Sequence, residues 1–260
     1  MDHTMSADGA PIAFGRHGDG PPVVIVGGAL SASDAAVPLA RALGESGLQG
    51  ITLDRRARGE SGDVAPYAIE REVEDLAAVI EAVGGEAALL GHSSGAVLAH
   101  FATASGLPVS RLFLSEPPFS FGERTSDPRL PDRLQRLIDD GEAAEAVVLF
   151  QREAVGLPEQ LIEQIRQSPL FASLVPLAQS AVYDATLTRD LAAPTVAMRE
   201  LSLPVTILRG DPTFPVLVRA FELLRDAMPD AEFLVVSESR DHGMDPVATA
   251  RIVSERVLSG

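Results

Sequence analysis

Three features of the sequence predict an α/β architecture: a mostly parallel sheet flanked by helices, with an inserted helical cap. Short β-branched runs alternate with longer amphipathic stretches up to residue 118. The alternation breaks over residues 119–202 and then resumes to the end of the 260-residue chain. Strand–helix–strand repetition implies parallel strands joined by right-handed crossovers. Because one pattern continues on both sides of the break, residues 1–118 and 203–260 read as one core and residues 119–202 as the cap.

Pro22–Val26 (PVVIV) closes on Gly27-Gly28, the pattern of a strand buried on both faces. A helix is expected over residues 33–48, then a strand over 50–53 that ends on Asp54 and a polar, glycine-bearing loop. In residues 68–83, Ile69, Val73, Leu76, Ala77, Ile80 and Val83 recur at spacings of three and four, one apolar helix face opposite an acidic one. A strand at 87–90, an alanine-rich helix at 96–104 and a strand at 111–114 follow. Beyond Glu116-Pro117-Pro118 the clearest patterns are helical, at 132–139, 142–155 and 159–167, punctuated by Gly141, Gly156, Pro158 and Pro169. The alternation then returns: strand 205–208, helix 216–228, strand Glu232–Val236 and a closing helix over 247–258.

Composition removes several classes of function. With 21 basic and 37 acidic residues the formal net charge is −16, opposite to what a phosphate backbone or an anionic membrane surface attracts. Zero cysteines exclude disulfides, thiolate metal sites and a cysteine nucleophile. No apolar run approaches the roughly 18 residues of a membrane span. The opening MDHTMSADGAPIAF lacks the basic end and apolar stretch of a secretory signal, so a cytoplasmic location is expected. Neither an HExxH pattern nor a G-x-G-x-x-G after the first strand occurs, and no metal or cofactor is expected.

Gly91-His92-Ser93-Ser94-Gly95 lies between an expected strand and an expected helix, the setting that a G-x-S-x-G turn requires. A strand turning abruptly into a helix strains its central residue and leaves no room for neighbouring side chains. Ser93 is thereby presented at the head of the sheet, beside the positive end of a helix. A serine hydroxyl needs a base. Of the five histidines, His3 and His17 are N-terminal, His92 is in the turn and His100 is two turns down the helix. His242 follows the strand Glu232–Val236, whose carboxyl end shares an edge with Ser93, which makes it the base candidate. Two amides should receive the oxyanion: that of Ser94, from the turn itself, and that of Ala29, from the Gly27-Gly28-Ala29-Leu30 loop.

These segments resemble the α/β-hydrolase fold family over most of the chain. They are VVIVGGA for the oxyanion loop, LDRRARGESGD for the loop after the next strand, GHSSG for the nucleophile turn and SRDHG for the histidine loop. The likeness is greatest to small actinobacterial-type serine hydrolases with DRRGRGDSGD and GHSSGA motifs. The arginines and glycines of residues 54–62 then brace a turn. The resemblance implies a Ser–acid–His order, and two carboxylates compete for the acid. The usual position follows strand 205–208, where this chain has Gly210-Asp211-Pro212-Thr213, with Thr213 in the customary slot and Asp211 two residues before it. Some members take the acid from the preceding strand end, which here is Glu116, the favoured candidate. An elbow serine argues against dehalogenase and epoxide-hydrolase chemistry, both of which use an aspartate there.

The cap would act as a lid, with Phe119, Phe121, Phe150, Phe171, Tyr183 and Met198 as its bulky side chains. Gly28, Leu30, His92, Phe119, Phe121 and Tyr183 are the expected substrate contacts. The expected partner is a small, mainly apolar acyl substrate, handled by a monomer or homodimer. Within the same fold, cofactor-free perhydrolases, C–C hydrolases, cyclases, lyases and non-catalytic ligand-binding members remain alternatives.

Overall fold

The computed structural model describes residues 1–123 and 127–259; residues 124–126 of the expected cap and residue 260 of the expected core lie outside the described residues. Strands β1 (Asp2–Met5) and β2 (Pro11–His17) form a hairpin, and β2 pairs antiparallel with β4 (Gln49–Leu53). From there every pairing is parallel, through β3 (Pro22–Val26), β5 (Ala87–His92), β6 (Val109–Ser115), β7 (Val205–Gly210) and β8 (Glu232–Val236). The eight-stranded sheet has the order β1-β2-β4-β3-β5-β6-β7-β8. The N-terminal hairpin has no counterpart in the expected elements. Its apolar run is short, with only Ile12, Ala13 and Phe14 buried in β2, and pairing with β4 supplies what local pattern does not.

Alternate residues of β3 point to opposite faces. Val23 and Ile25 pack with Leu39, Ala40 and Leu43 of α1 (Val37–Glu45) and Ala250 and Val253 of α11 (Pro246–Leu258). Val24 and Val26 pack with Leu76, Val79 and Ile80 of α2 (Ile69–Ala82) and the alanines of α3 (Ser94–Ala104). The helix expected over 33–48 is shorter. A 3₁₀ turn at Ser33–Ala36 precedes α1, whose first turn holds Pro38, a residue suited to a helix start and not to its interior.

Between β6 and β7 the regular elements among the described residues are helical. They are α4 (Leu130–Asp139), α5 (Ala143–Phe150), α6 (Glu159–Arg166), α7 (Pro169–Leu174), a 3₁₀ turn at Val175–Leu177, α8 (Ala178–Asp190) and α9 (Val196–Arg199). The stretch 142–155 is α5 followed by a π-helical turn, Gln151–Val155. Helix α8 escapes a periodicity argument because it is buried on several sides, polar Ser180 and Asp184 included. The apolar cluster of these helices receives Ala29, Leu30 and Tyr67 from the core, so the insertion sits on the loop that follows β3. Helix α10 (Pro215–Ala227) connects β7 to β8. Among the described residues no helix is long and apolar enough to cross a membrane.

Candidate active site

Ser93 stands between β5 and α3 with φ 54° and ψ −127°, a left-handed conformation that costs a serine free energy. Its amide donates to the Ser115 carbonyl at 2.9 Å, and its carbonyl accepts from Ala96 at 2.9 Å. The glycine of the turn that packs tightest is Gly95, where a Cβ would lie 2.2 Å from the Val26 carbonyl oxygen; α3 reaches β3 only because that methyl is missing. Ser94, first residue of α3, carries one of the N–H groups a helix does not pair internally.

Glu116 and His242 meet at the same edge. Glu116 Oε2 lies 2.5 Å from His242 Nδ1, while Oε1 accepts from the Gly210 amide at 2.9 Å. Burial raises the Glu116 pKa, but the bonds from His242 and Gly210 outweigh it, and the net effect holds the carboxyl below its ordinary value. The Thr213 hydroxyl faces the same carboxylate and lowers it further without settling into a close bond. Both residues are left-handed, Glu116 at φ 48° and His242 at φ 65°, so strain is concentrated at this site. The His242 ring lies tilted on His92 with centroids 4.7 Å apart, which seats it at the serine turn. Burial and the nearby His242 push the His92 imidazole down to about 3, so it is neutral at physiological pH.

Asp211 is not at the imidazole. Its carboxylate is 62% exposed and lies 3.6 Å from Arg209. The segment acts through its backbone, the Asp211 amide donating to Ser239 and the Pro212 carbonyl accepting from Asp241, both at 2.9 Å. Asp211→Asn should therefore keep kcat/KM within about twofold of wild type, as surface substitutions usually do; a loss of 100-fold in steady-state hydrolysis would contradict this placement.

The expected substrate contacts separate. Gly28 faces Ser93, where a methyl on Gly28 would come within 2.9 Å of Ser93 Cβ, and with His92 it lines a cavity of about 370 Å³. Ile25, Leu39 and Met244, on the α1–α11 side of the sheet, also line it and were not foreseen. Leu30 packs under the cap helices. Phe119 is a core side chain, 2% exposed, edge-on to His100, and Phe121 packs beside it. Tyr183 stacks on Tyr67 at 3.9 Å and donates to Asp63, lining an outer groove with them; its ring and hydroxyl are occupied in fastening α8 to the core.

His100 is fully buried, its Nε2 2.7 Å from the Met198 carbonyl, and burial pushes its imidazole down to about 4. The unfolded imidazole charges near pH 6.5, so this group's contribution is intact above that value and lost as pH falls toward 4, about 3 kcal/mol in all. Urea unfolding of wild type from pH 7 to 4.5 should show this loss, and His100→Gln should flatten it while keeping turnover. Equal pH slopes would contradict the assignment.

Among the described residues, the group of three side chains able to approach a metal ion is His92, Glu116 and His242, with ligand atoms within 4.8 Å of one another. Glu116 and His242 already engage each other, and an ion would have to break that bond.

The fold, the strained serine and the glutamate-held histidine define a class, and comparison with known proteins agrees on the fold. The chain belongs to the alpha/beta hydrolase family, whose profile matches residues 15–255. It is 39% identical to an alpha/beta hydrolase from Sphaerobacter thermophilus, covering 98% of this chain and 99% of that one with a TM-score of 0.90. It resembles a thermophilic esterase from Thermogutta terrifontis at 22% identity, 99% and 96% coverage and TM-score 0.70. It also resembles an esterase from Exiguobacterium antarcticum at 20% identity, 99% and 97% coverage and TM-score 0.69. Curated protein sequences yield no match.

Proposed function

We propose that the protein is a serine hydrolase that cleaves a carboxylic ester, lactone or related acyl bond of a mainly apolar small molecule. The observation that carries this reading is the 2.5 Å contact between Glu116 Oε2 and His242 Nδ1 at the serine turn. With Nδ1–H committed to the carboxylate, Nε2 is the nitrogen left to accept the Ser93 proton. Ser93 Oγ attacks the carbonyl, and the proton taken by His242 passes to the departing alkoxide. The acyl-enzyme is resolved by water, which His242 deprotonates; the second tetrahedral intermediate collapses to the acid, and Ser93 regains its proton. Glu116 holds the tautomer and offsets the imidazolium charge, while the amides of Ala29 and Ser94 receive the oxyanion.

The helices of residues 119–202 serve as the lid, excluding water from the reacting groups. An apolar acyl or alcohol group would extend past Gly28 and His92 into the 370 Å³ cavity that Ile25, Leu39 and Met244 also line, a cavity whose lining includes neither Ser93 nor His242. Intact-protein mass spectrometry after a fluorophosphonate should give a single adduct, mapped to Ser93. No adduct would sink the acyl-enzyme and return the chemistry to the fold's non-acyl reactions. Across p-nitrophenyl esters, kcat/KM should rise from acetate to longer or cyclic acyl groups; a flat series would overturn the apolar pocket.

A further inference from the structure

Four ionised side chains lie beneath the loop that follows β3, almost out of reach of water: Arg55, Arg58 and Glu72 are each 2% exposed and Asp184 is 1%. Arg55 grips Glu72 in a fork, Nε to Oε2 at 2.7 Å and Nη2 to Oε1 at 2.8 Å. Its Nη1 donates to Asp184 Oδ1 at 2.9 Å and to the Gly27 carbonyl at 3.2 Å. Arg58 Nη2 donates to Asp184 Oδ2 at 2.6 Å. Arg58 Nη1 donates to the Gly28 carbonyl at 2.5 Å and the Ser31 carbonyl at 3.0 Å. Ser31 Oγ is a second donor to the Gly28 carbonyl, at 2.8 Å. Asp184 belongs to α8, so a helix of the insertion supplies the counter-charge for two arginines of the core.

Stability alone is a poor reason for this arrangement, because well-packed apolar residues of similar volume are often at least as stable as a buried ion network. What the network adds is orientation. A trans peptide unit is planar, with its C=O and N–H pointing in opposite directions. The carbonyl of Gly28 is held from below by Arg58 and Ser31, so the N–H of Ala29, in the same plane, is turned the other way. Gly28 faces Ser93, a Cβ there lying 3.6 Å from Ser93 Oγ, which places the Gly28–Ala29 peptide beside the nucleophile. Burial and the neighbouring Arg55 both work against the Arg58 charge, and Asp184 is a principal counter-charge that sustains it.

We propose that Arg58, held by Asp184 of α8, is a positioning residue: it fixes the Gly28–Ala29 peptide plane, aims the oxyanion-binding amide, and makes transition-state stabilisation depend on how α8 is seated. This rests on the serine-hydrolase reading. Lysine at position 58 keeps the charge but lacks the fork that spans a carbonyl and a carboxylate together.

The test compares wild type with Arg58→Lys and Ser31→Ala. The readouts are kcat and KM on p-nitrophenyl butyrate, with active sites counted by fluorophosphonate titration, and the inhibition constant of phenylboronic acid, which adds to the serine as a tetrahedral anion. For Arg58→Lys, kcat per titrated site should fall about 100-fold with KM within threefold, and boronate affinity should weaken in step. Ser31→Ala, which removes the second donor to the same carbonyl, should show a smaller loss of the same kind. A merely structural arginine would reduce the number of titratable sites but leave kcat per site and boronate affinity unchanged, and that result overturns the proposal. If Arg58→Lys does not fold, Ser31→Ala decides on the same readouts, and wild-type values there overturn it. Failure of the underlying reading looks different: wild type itself would neither turn over the ester nor take the fluorophosphonate.

Discussion

Ser93→Ala should lower kcat by about 10⁴- to 10⁶-fold and abolish the fluorophosphonate adduct, while the boronate loses its covalent partner. Removing a nucleophile that acts as a unit with its base costs nearly everything the unit supplies; what survives is the contribution of oxyanion donors and binding. The same position offers a second, opposite readout. Ser93 sits at φ 54° with a side chain that this conformation penalises. Ser93→Gly should be as inactive as the alanine variant, yet about 1 kcal/mol more stable than it, because glycine relieves the strain. Thermal melts of the two variants side by side check this. A glycine variant no more stable than the alanine one would mean that the turn is not strained, and with it would go the physical account of why Ser93 is presented as it is.

Glu116→Gln should cost about 10³- to 10⁴-fold in kcat with little change in KM. A glutamine can bond Nδ1 through its oxygen or present its NH₂ group and stabilise the wrong tautomer, and in either case the imidazolium loses its counter-charge. The variant also has a pH signature. The folded-state pKa of Glu116 lies below its ordinary value, so its stabilising contribution is present above the unfolded pKa and disappears as pH falls through the folded one. The stability gap between wild type and Glu116→Gln should therefore be widest near neutrality and close in acid, below about pH 4. Denaturant midpoints across that range measure it. A gap that grew on acidification would reverse the sign of the electrostatics assigned to this pair, and a Glu116→Gln enzyme with near-wild-type kcat would remove Glu116 from the reaction.

Much of this was readable in the residues. Continuous β-branched runs such as Pro22–Val26 and the three-and-four spacing in α2 report burial directly, because each side chain's direction follows from local backbone geometry. The G-x-S-x-G turn is legible in part for the same reason: Gly91 answers a steric demand made within five residues, by Gly95 and Ala96, whereas Gly95 answers one made by Val26 and Gly27 of the neighbouring strand end. The N-terminal hairpin was not, since β2 becomes a strand by pairing with β4, more than thirty positions away. Helix α8 was not, since a helix buried on several sides has no polar face to reveal its period.

The amino-acid order by itself determined the fold class and singled out the serine turn and the histidine near the far end of the chain as candidates, through local geometry and strand order. It left Glu116 and Asp211 competing, because both occupy strand ends and side-chain direction depends on how the loops close over the edge. Only the tertiary structure brought Glu116 onto His242, turned Asp211 to solvent, and placed Asp184 against Arg55 and Arg58 from 126 to 129 positions away. Contacts of that range are decided by packing of whole elements, and no local pattern encodes which buried charge will meet which.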